Sequence, residues 1–71
     1  MVKGKVIRRE RLRQKLSLMA LADASGVDYR TISDIERGRT KRPSWDKVVN
    51  LATALKLEPA SLWASTLRRA S

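Results

Sequence analysis

The stretch SLMALADASGVDYRTISDIERG, residues 17–38, decides the fold, because it holds two short runs of helix-forming residues separated by a glycine. Ser17 and Asp28 each precede one run, and both residue types accept hydrogen bonds from the backbone of a helix's first turn. Gly26 stands between the runs, where it can adopt the left-handed conformation that ends a helix. We therefore predict two helices joined by a tight turn, over about residues 18–37.

Working outward from this unit, apolar spacing and capping residues predict further helices and no strand. The predicted helices are 6–15, 18–24, 29–37, 45–56 and a short fifth helix that begins at Pro59. In the first helix, Ile7, Leu12 and the stem of Arg11 are expected to face inward. The other expected core residues are Leu21, Ile32, Ile35, Val48, Leu51 and Leu55, with Trp45 and Trp63 partly buried beside them.

The length of 71 residues allows one small domain, and the absence of cysteine and histidine excludes several kinds of site. No disulfide framework or Cys/His zinc site is possible, so no metal or other cofactor is expected. No nucleophile–base pair is recognisable, which argues against an enzyme and leaves no catalytic residue to name. The chain also lacks a signal-peptide pattern and any apolar run of the ~20 residues that a membrane span needs.

The net charge of +9 and the sequence pI of about 11.2 indicate a polyanionic partner. Nucleic acid fits better than an anionic membrane, because the cations do not lie opposite one continuous apolar face. The charge is unevenly distributed: residues 1–16 carry a net +6, whereas residues 17–36 carry one cation, Arg30, against four acids. Four more cations follow in the loop: Arg37, Arg39, Lys41 and Arg42.

Residues from about Ile7 to Trp63 resemble the Cro/C1-type (Xre) family of helix-turn-helix regulators. The tract ISDIERGRTKRPS, residues 32–44, is similar to the end of the family's third helix and the loop that follows it. Its TKRP segment resembles lambdoid phage repressor domains. The tract LATALKL, residues 51–57, is similar to the family's fourth helix. The resemblance therefore covers most of the chain.

The resemblance implies an all-α, compact, five-helix, lambda-repressor-like domain whose third helix enters the DNA major groove. We expect a basic N-terminal arm at residues 1–5, the DNA-binding domain at 6–64 and a C-terminal tail at 65–71. The expected partner is double-stranded DNA, as a palindromic operator bound by a transcriptional repressor. A weak homodimer is expected to use Leu57, Leu62, Trp63 and Leu67. A small-molecule ligand is not expected.

The charge distribution suggests that affinity and sequence reading are divided between different residues. Base-edge contacts supply specificity and phosphate contacts supply salt-dependent affinity. The candidates for reading bases on the third helix are Tyr29, Arg30, Ser33 and Asp34. The candidates for binding phosphates are Arg11, Ser17, Leu18, Arg37, Arg39, Thr40, Lys41 and Arg42.

The resemblance also implies one ion pair, and this chain differs from the family's usual pattern in two places. In similar repressors, the positions of Arg11 and Glu36 form a partly buried ion pair between the first and third helices. Leu18 stands where the family usually has a phosphate-contacting glutamine, so only the backbone N–H groups of that helix start can make this contact. The combination on the third helix is this chain's own, so no known operator can be transferred to it.

Two other functions remain open from the sequence. An antitoxin with this fold would bind both a toxin and its own promoter. A basic protein-interaction module would bridge proteins without any DNA specificity. The expected location of the leading candidate is the cytoplasm of a prokaryote, or of a cell infected by a phage, in association with the nucleoid.

Overall fold

The computed structural model describes residues 2–40 and 42–63, and within these ranges it contains four α-helices and one 3-10 helix. They are α1 (Gly4–Arg13), α2 (Leu18–Ser25), α3 (Tyr29–Glu36), α4 (Trp45–Leu55) and the 3-10 helix Pro59–Leu62. The all-α class is confirmed, and the fifth helix is a short 3-10 turn. Pro59 suits its first turn, since proline lacks the N–H that this position leaves unpaired. The predicted tail, residues 65–71, lies outside the described residues.

The helix starts follow the capping residues that the sequence predicts. The Ser17 hydroxyl accepts from the Ala20 N–H at 3.0 Å at the start of α2. The Asp28 carboxylate accepts from the Arg30 N–H at 2.9 Å at the start of α3, and Ser44 caps α4. Gly26 ends α2 with a φ of 76°, a conformation that costs a residue with a Cβ atom more than it costs glycine.

The core forms where α1, α2, α3 and α4 meet, with the 3-10 helix closing one side. Each fully buried side chain contributes roughly 1.5–3 kcal/mol of hydrophobic stabilisation, so a domain of this size depends on every one. Of the predicted core, Ile7 and the expected residues of α2, α3 and α4 are confirmed, whereas Leu12 and Trp45 are not. The largest fully buried side chains are Ile7, Leu21, Ile32, Ile35, Val48, Leu51, Leu55 and Leu62.

The start of the chain, which the sequence analysis set apart as a basic arm, is fixed to the rest of the domain at Val2 and Lys3. Val2 is only 7% exposed and forms an antiparallel bridge with Trp63. The Lys3 N–H donates to the Leu62 carbonyl at 2.6 Å. Helix α1 then begins at Gly4. The sequence analysis placed this start at residue 6, because the many cations of the first residues gave no sign that Val2 is buried.

Gly4 brings the start of α1 against the end of α3. A Cβ atom at this position would overlap the carbonyl oxygen of Ile35 and lie 3.1 Å from the Glu36 Cα. Both neighbours are backbone atoms, which cannot move aside as a flexible side chain would. The close approach of the two helices therefore requires glycine here.

Three apolar residues are not where the sequence analysis expected them. Leu12 is 52% exposed, because its side of α1 faces away from α3 and α4. Trp45 is also 52% exposed and contacts Trp63 edge to face, with ring centroids 5.9 Å apart. Leu62, expected on a dimer surface, is fully buried in the core. Leu67 of that expected surface lies outside the described residues.

Candidate nucleic-acid interface

Helix α3 presents the four expected base-reading residues on the side opposite its buried face. Ile32 and Ile35 are fully buried and seat the helix on the core. Helical geometry then places positions 29, 30, 33 and 34 within one outward arc. Of these, Tyr29 and Arg30 are exposed, whereas Ser33 and Asp34 are half-buried.

Arg30 and Asp34 are one turn apart but are not joined by an ion pair among the residues that the structure describes. The Arg30 backbone N–H is held by the Asp28 cap, which fixes the start of the helix and leaves the guanidinium outside this hydrogen bond. The Asp34 carbonyl accepts from the N–H groups of Arg39 (2.8 Å) and Thr40 (3.2 Å). Asp34 therefore also anchors the loop that follows, a role that the sequence analysis missed.

The basic loop folds back over the last turn of α3. Gly38 makes this possible with a φ of 82°, in the left-handed region. Arg37, Arg39 and Arg42 are exposed along the loop, and Thr40 is half-buried. Lys41, the remaining cation of this expected phosphate-binding group, lies outside the described residues.

Arg11 and Glu36 join α1 to α3 through a two-pronged ion pair. The Arg11 Nε lies 2.8 Å from Glu36 Oε2, and its Nη2 lies 3.0 Å from Oε1. Nη1 donates to the Leu16 carbonyl at 2.9 Å. The side chains are only 10% and 6% exposed. The hydrogen bonds to Glu36 raise the pKa of Arg11 against the opposing effect of its desolvation, so the charge stays on the guanidinium.

The ion pair forms one wall of a concave surface that we call the arginine cleft. Its volume is about 330 Å³. The cleft brings three of the expected phosphate-binding residues together, since Arg11, Leu18 and Arg37 all line it. The first-turn N–H groups of α2 have no intrahelical partner, as at any helix start, while the Ser17 hydroxyl is used in capping. The full lining is Arg8, Arg11, Leu18, Ser33, Glu36 and Arg37.

A second, smaller concavity lies where the start of the chain meets the end of α3, and we call it the chain-start cleft. Its volume is about 150 Å³. Lys5 and Arg37 supply its cations and Thr40 a hydroxyl. Its one acid, Glu36, is already paired with Arg11. The full lining is Val2, Gly4, Lys5, Ile35, Glu36, Arg37, Gly38 and Thr40.

The opposite end of α3 borders a concavity of about 620 Å³ that we call the acidic concavity. Its lining contains two carboxylates and no cation. Met19 is 58% exposed and Tyr29 is 39% exposed on its surface. The sequence signal for this concavity was the excess of acids in residues 17–36. The sequence analysis used Asp28 only as a helix cap. The full lining is Met19, Ala22, Asp23, Gly26, Val27, Asp28 and Tyr29.

Within residues 2–40 and 42–63, no group of acidic side chains has the arrangement of a metal site. None of the helices in this part of the chain has the length and apolar character of a membrane span. The arrangement of the described residues therefore offers charged surfaces around one exposed helix.

A family model described as a helix-turn-helix domain matches residues 4–63. Among curated proteins, no sequence is similar enough to count as a match. The solved structures that are similar in both fold and sequence include the following three. The first is the restriction-modification controller protein C.AhdI from Aeromonas hydrophila, with 37% identity and a TM-score of 0.78, covering 84% of this chain and 89% of that chain.

The second similar structure is the P22 c2 repressor protein in complex with a synthetic operator, with 32% identity and a TM-score of 0.75. It covers 83% of this chain and 88% of that chain. The third is SinR, a master regulator for biofilm formation, in complex with DNA, with 28% identity and a TM-score of 0.78. It covers 82% of this chain and 92% of that chain.

Proposed function

Because the chain belongs to the Cro/C1-type helix-turn-helix regulators, which are not enzymes, we propose that it binds double-stranded DNA sequence-specifically and represses transcription. Helix α3 enters the major groove and reads base edges there. Repression follows from occupying an operator, so the protein performs no chemical step. On this proposal the protein works in the cytoplasm, in association with the nucleoid.

One observation carries this proposal: the exposed face of α3 is bordered at its C-terminal end by two cation-lined clefts. Arg8, Arg11 and Arg37 line the arginine cleft, and Lys5 with Arg37 lines the chain-start cleft. DNA carries a phosphate charge every ~1.7 Å of helix axis, so cations at the end of a groove-binding helix can meet its backbone. Two similar solved proteins, SinR and the P22 c2 repressor, are described in complexes with DNA or an operator.

Base reading is assigned to the outward residues of α3. Arg30 donates two hydrogen bonds to guanine O6 and N7, the geometry in which a guanidinium fits guanine best. Asp34 accepts from cytosine N4 or orients Arg30 once DNA is bound. Tyr29 and Ser33 contact neighbouring base edges or phosphates. Each half-site then contains at least one G·C pair that depends on Arg30.

Backbone binding is assigned to the clefts and to the basic loop. Leu18 contributes its backbone N–H, because the positive end of the α2 dipole attracts a phosphate even without a polar side chain. Ser17 keeps that helix start in place by capping it. The remaining phosphate contacts are assigned to Arg11, Arg37, Arg39, Thr40, Lys41 and Arg42.

The operator is proposed to be palindromic and to bind a weak homodimer. A single domain of this size covers one half-site, and regulators of this fold pair across half-sites about one helical turn apart. The apolar surface available for pairing is Trp45 with Trp63 and Leu57, since Leu62 is buried. Sedimentation of the free protein and of its complex with a palindromic duplex tests this. A strict monomer in both states would contradict it.

The DNA-binding proposal is tested by selecting binding sites from random duplexes and sequencing them. The expected result is enrichment of one half-site motif containing a G·C pair. Retention of no fragment at any salt concentration, or retention without enrichment, would contradict sequence-specific binding. The selected duplex then serves as the probe for the measurements below.

One observation favours the antitoxin function as a second candidate. An antitoxin needs a surface for its toxin in addition to its DNA interface, and the α2 side of the acidic concavity, with Asp23 and exposed Met19, lies outside the residues assigned to DNA. Titration of the purified protein with the product of an adjacent gene tests this. Binding that Met19→Ser weakens, with DNA affinity unchanged, would support it, whereas the absence of any complex would exclude that product as a toxin partner.

A further inference from the structure

We infer that the first turn of α1 belongs to the DNA-backbone surface, and that Lys5 binds one phosphate in the chain-start cleft together with Arg37 and Thr40. This inference rests on the proposed DNA-binding function and adds a residue and a place to it. The sequence analysis gave Lys5 only as part of a basic N-terminal arm, without a partner or a position.

The backbone at Lys5 has a fixed position in the fold. The chain on its N-terminal side is held twice, by the bridge between Val2 and Trp63 and by the hydrogen bond from Lys3 to Leu62. Gly4, the residue directly before Lys5, also lies against the backbone of Ile35 and Glu36. A lysine at this point costs less conformational entropy to bind than one on a free arm, because its backbone is already ordered.

The loop on the other wall of the chain-start cleft is also fixed. Arg39 and Thr40 donate their N–H groups to the Asp34 carbonyl, and the Arg37 N–H donates to Ser33. These bonds hold the loop against the last turn of α3. Lys5 and Arg37 therefore line one cleft from two separately anchored segments.

The chain-start cleft carries net positive charge. Two cations and one hydroxyl line it, and its only carboxylate is neutralised by a two-pronged ion pair with Arg11. A phosphate would therefore meet net positive charge. Because the cleft adjoins the C-terminal end of α3, a DNA backbone that follows the edge of the major groove passes beside it when α3 is inserted.

The experiment measures the dissociation constant of the full chain for the selected duplex by fluorescence anisotropy at several salt concentrations. Each phosphate contact contributes about 0.9 to the slope of log K against log salt. Lys5→Ala and Lys5→Gln are both expected to flatten the slope measurably, by at most about 0.9 because Arg37 still faces the same phosphate, and to leave the base preference unchanged. Lys5 is exposed, so neither change is expected to lower the melting temperature.

Arg13→Ala is the matched control. Arg13 is an exposed cation of the same helix, paired with Glu10 at the surface, about 12 Å further along the helix axis, and it lines neither cleft. Its removal changes the net charge by the same amount, and at this distance screening in 0.15 M salt weakens its effect on the cleft. The slope of Arg13→Ala is expected to match that of the wild type.

The outcomes separate this inference from the function on which it rests. A wild-type slope for both Lys5 variants, while Arg39→Ala flattens the slope, would overturn the inference and leave DNA binding in place. Equal flattening by Lys5→Ala and Arg13→Ala would show a general charge effect and would also overturn it. A wild-type protein that binds no duplex would overturn the proposed function itself.

Discussion

The two ends of helix α3 differ in charge and in what lies beside them. At its start, the acidic concavity contains Asp23 and Asp28 together with an exposed methionine and tyrosine. At its end, the arginine cleft and the chain-start cleft are lined by cations, and the one acid there is paired with Arg11. On the proposed function, the basic end holds the DNA backbone, while the start of the helix discriminates between bases.

This comparison explains how a chain of net charge +9 carries acids in its middle. A carboxylate weakens binding wherever a phosphate passes, but it does not do so where a base edge is read or where no DNA lies. Glu36 can stand at the basic end only because Arg11 neutralises it. The same residue type therefore has different consequences at the two ends, and substitutions can test this directly.

The largest expected effect is on stability, when the acid is removed from the basic end. Glu36→Ala leaves the nearly buried guanidinium of Arg11 without its carboxylate, which is expected to lower the free energy of unfolding by about 3 kcal/mol. Asp23→Ala, in the acidic concavity, removes an exposed charge and is expected to change it by less than about 0.5 kcal/mol. Urea unfolding of both variants measures the difference. Equal midpoints would show that the ion pair does not stabilise the fold.

The next effect is on specificity, when the one cation near the start of α3 is removed. Arg30→Ala is expected to weaken binding to the selected duplex by about 1–3 kcal/mol and to relax the requirement at one G·C pair. Arg30→Lys is the matched control and should not restore full affinity, because lysine lacks the planar fork. Competition with duplexes altered at single positions measures this. Equal weakening on every sequence would make Arg30 a phosphate contact.

A smaller effect is expected on affinity, when a cation is removed from the basic end. If each protomer neutralises roughly four or five phosphates, the slope of log K against log salt is near −4 per protomer. Arg39→Ala should flatten this slope by about 0.9 and weaken all sequences alike. The same is expected of Lys41→Ala. A salt titration on both specific and random duplexes measures it, and an altered base preference would contradict the assignment.

The smallest effect is expected for Asp34→Ala, which removes an acid from the reading face. Preference should change at the base pair that Arg30 reads or at its neighbour, while affinity for random DNA stays equal or rises slightly. The loop should remain in place, since Asp34 anchors it through its backbone carbonyl rather than its side chain. Site selection repeated with the variant tests this. An unchanged motif would assign Asp34 no part in reading bases.

Much of the fold was predictable because it depends on local chemistry. Ser17, Asp28 and Ser44 cap the helices they were expected to cap, and Gly26 makes the expected left-handed turn. Apolar spacing identified the fully buried residues of α2, α3 and α4. These features are determined within one or two helical turns, so a single sequence contains the information.

The less local features were predicted poorly. Nothing about Val2 in the sequence indicates that it pairs with Trp63, and the exposed positions of Leu12 and Trp45 depend on which neighbouring helix covers each face. The anchoring of the basic loop on the Asp34 carbonyl is a backbone contact, which residue type does not reveal. The acidic concavity likewise depends on the angle at which α2 meets the start of α3, which the sequence does not reveal.

The sequence by itself determined the helices, their caps, the buried stripe and the segregation of charge along the chain, because each depends on residue type and on spacing within a few positions. The tertiary structure alone decided that the chain start lies against the end of α3 and that Lys5 and Arg37 line one cleft. The ion pair between Arg11 and Glu36 joins residues 25 positions apart, and only the resemblance to similar repressors indicated it beforehand. These juxtapositions depend on how close two helices approach, and at Gly4 that distance is set by the absence of a single Cβ atom.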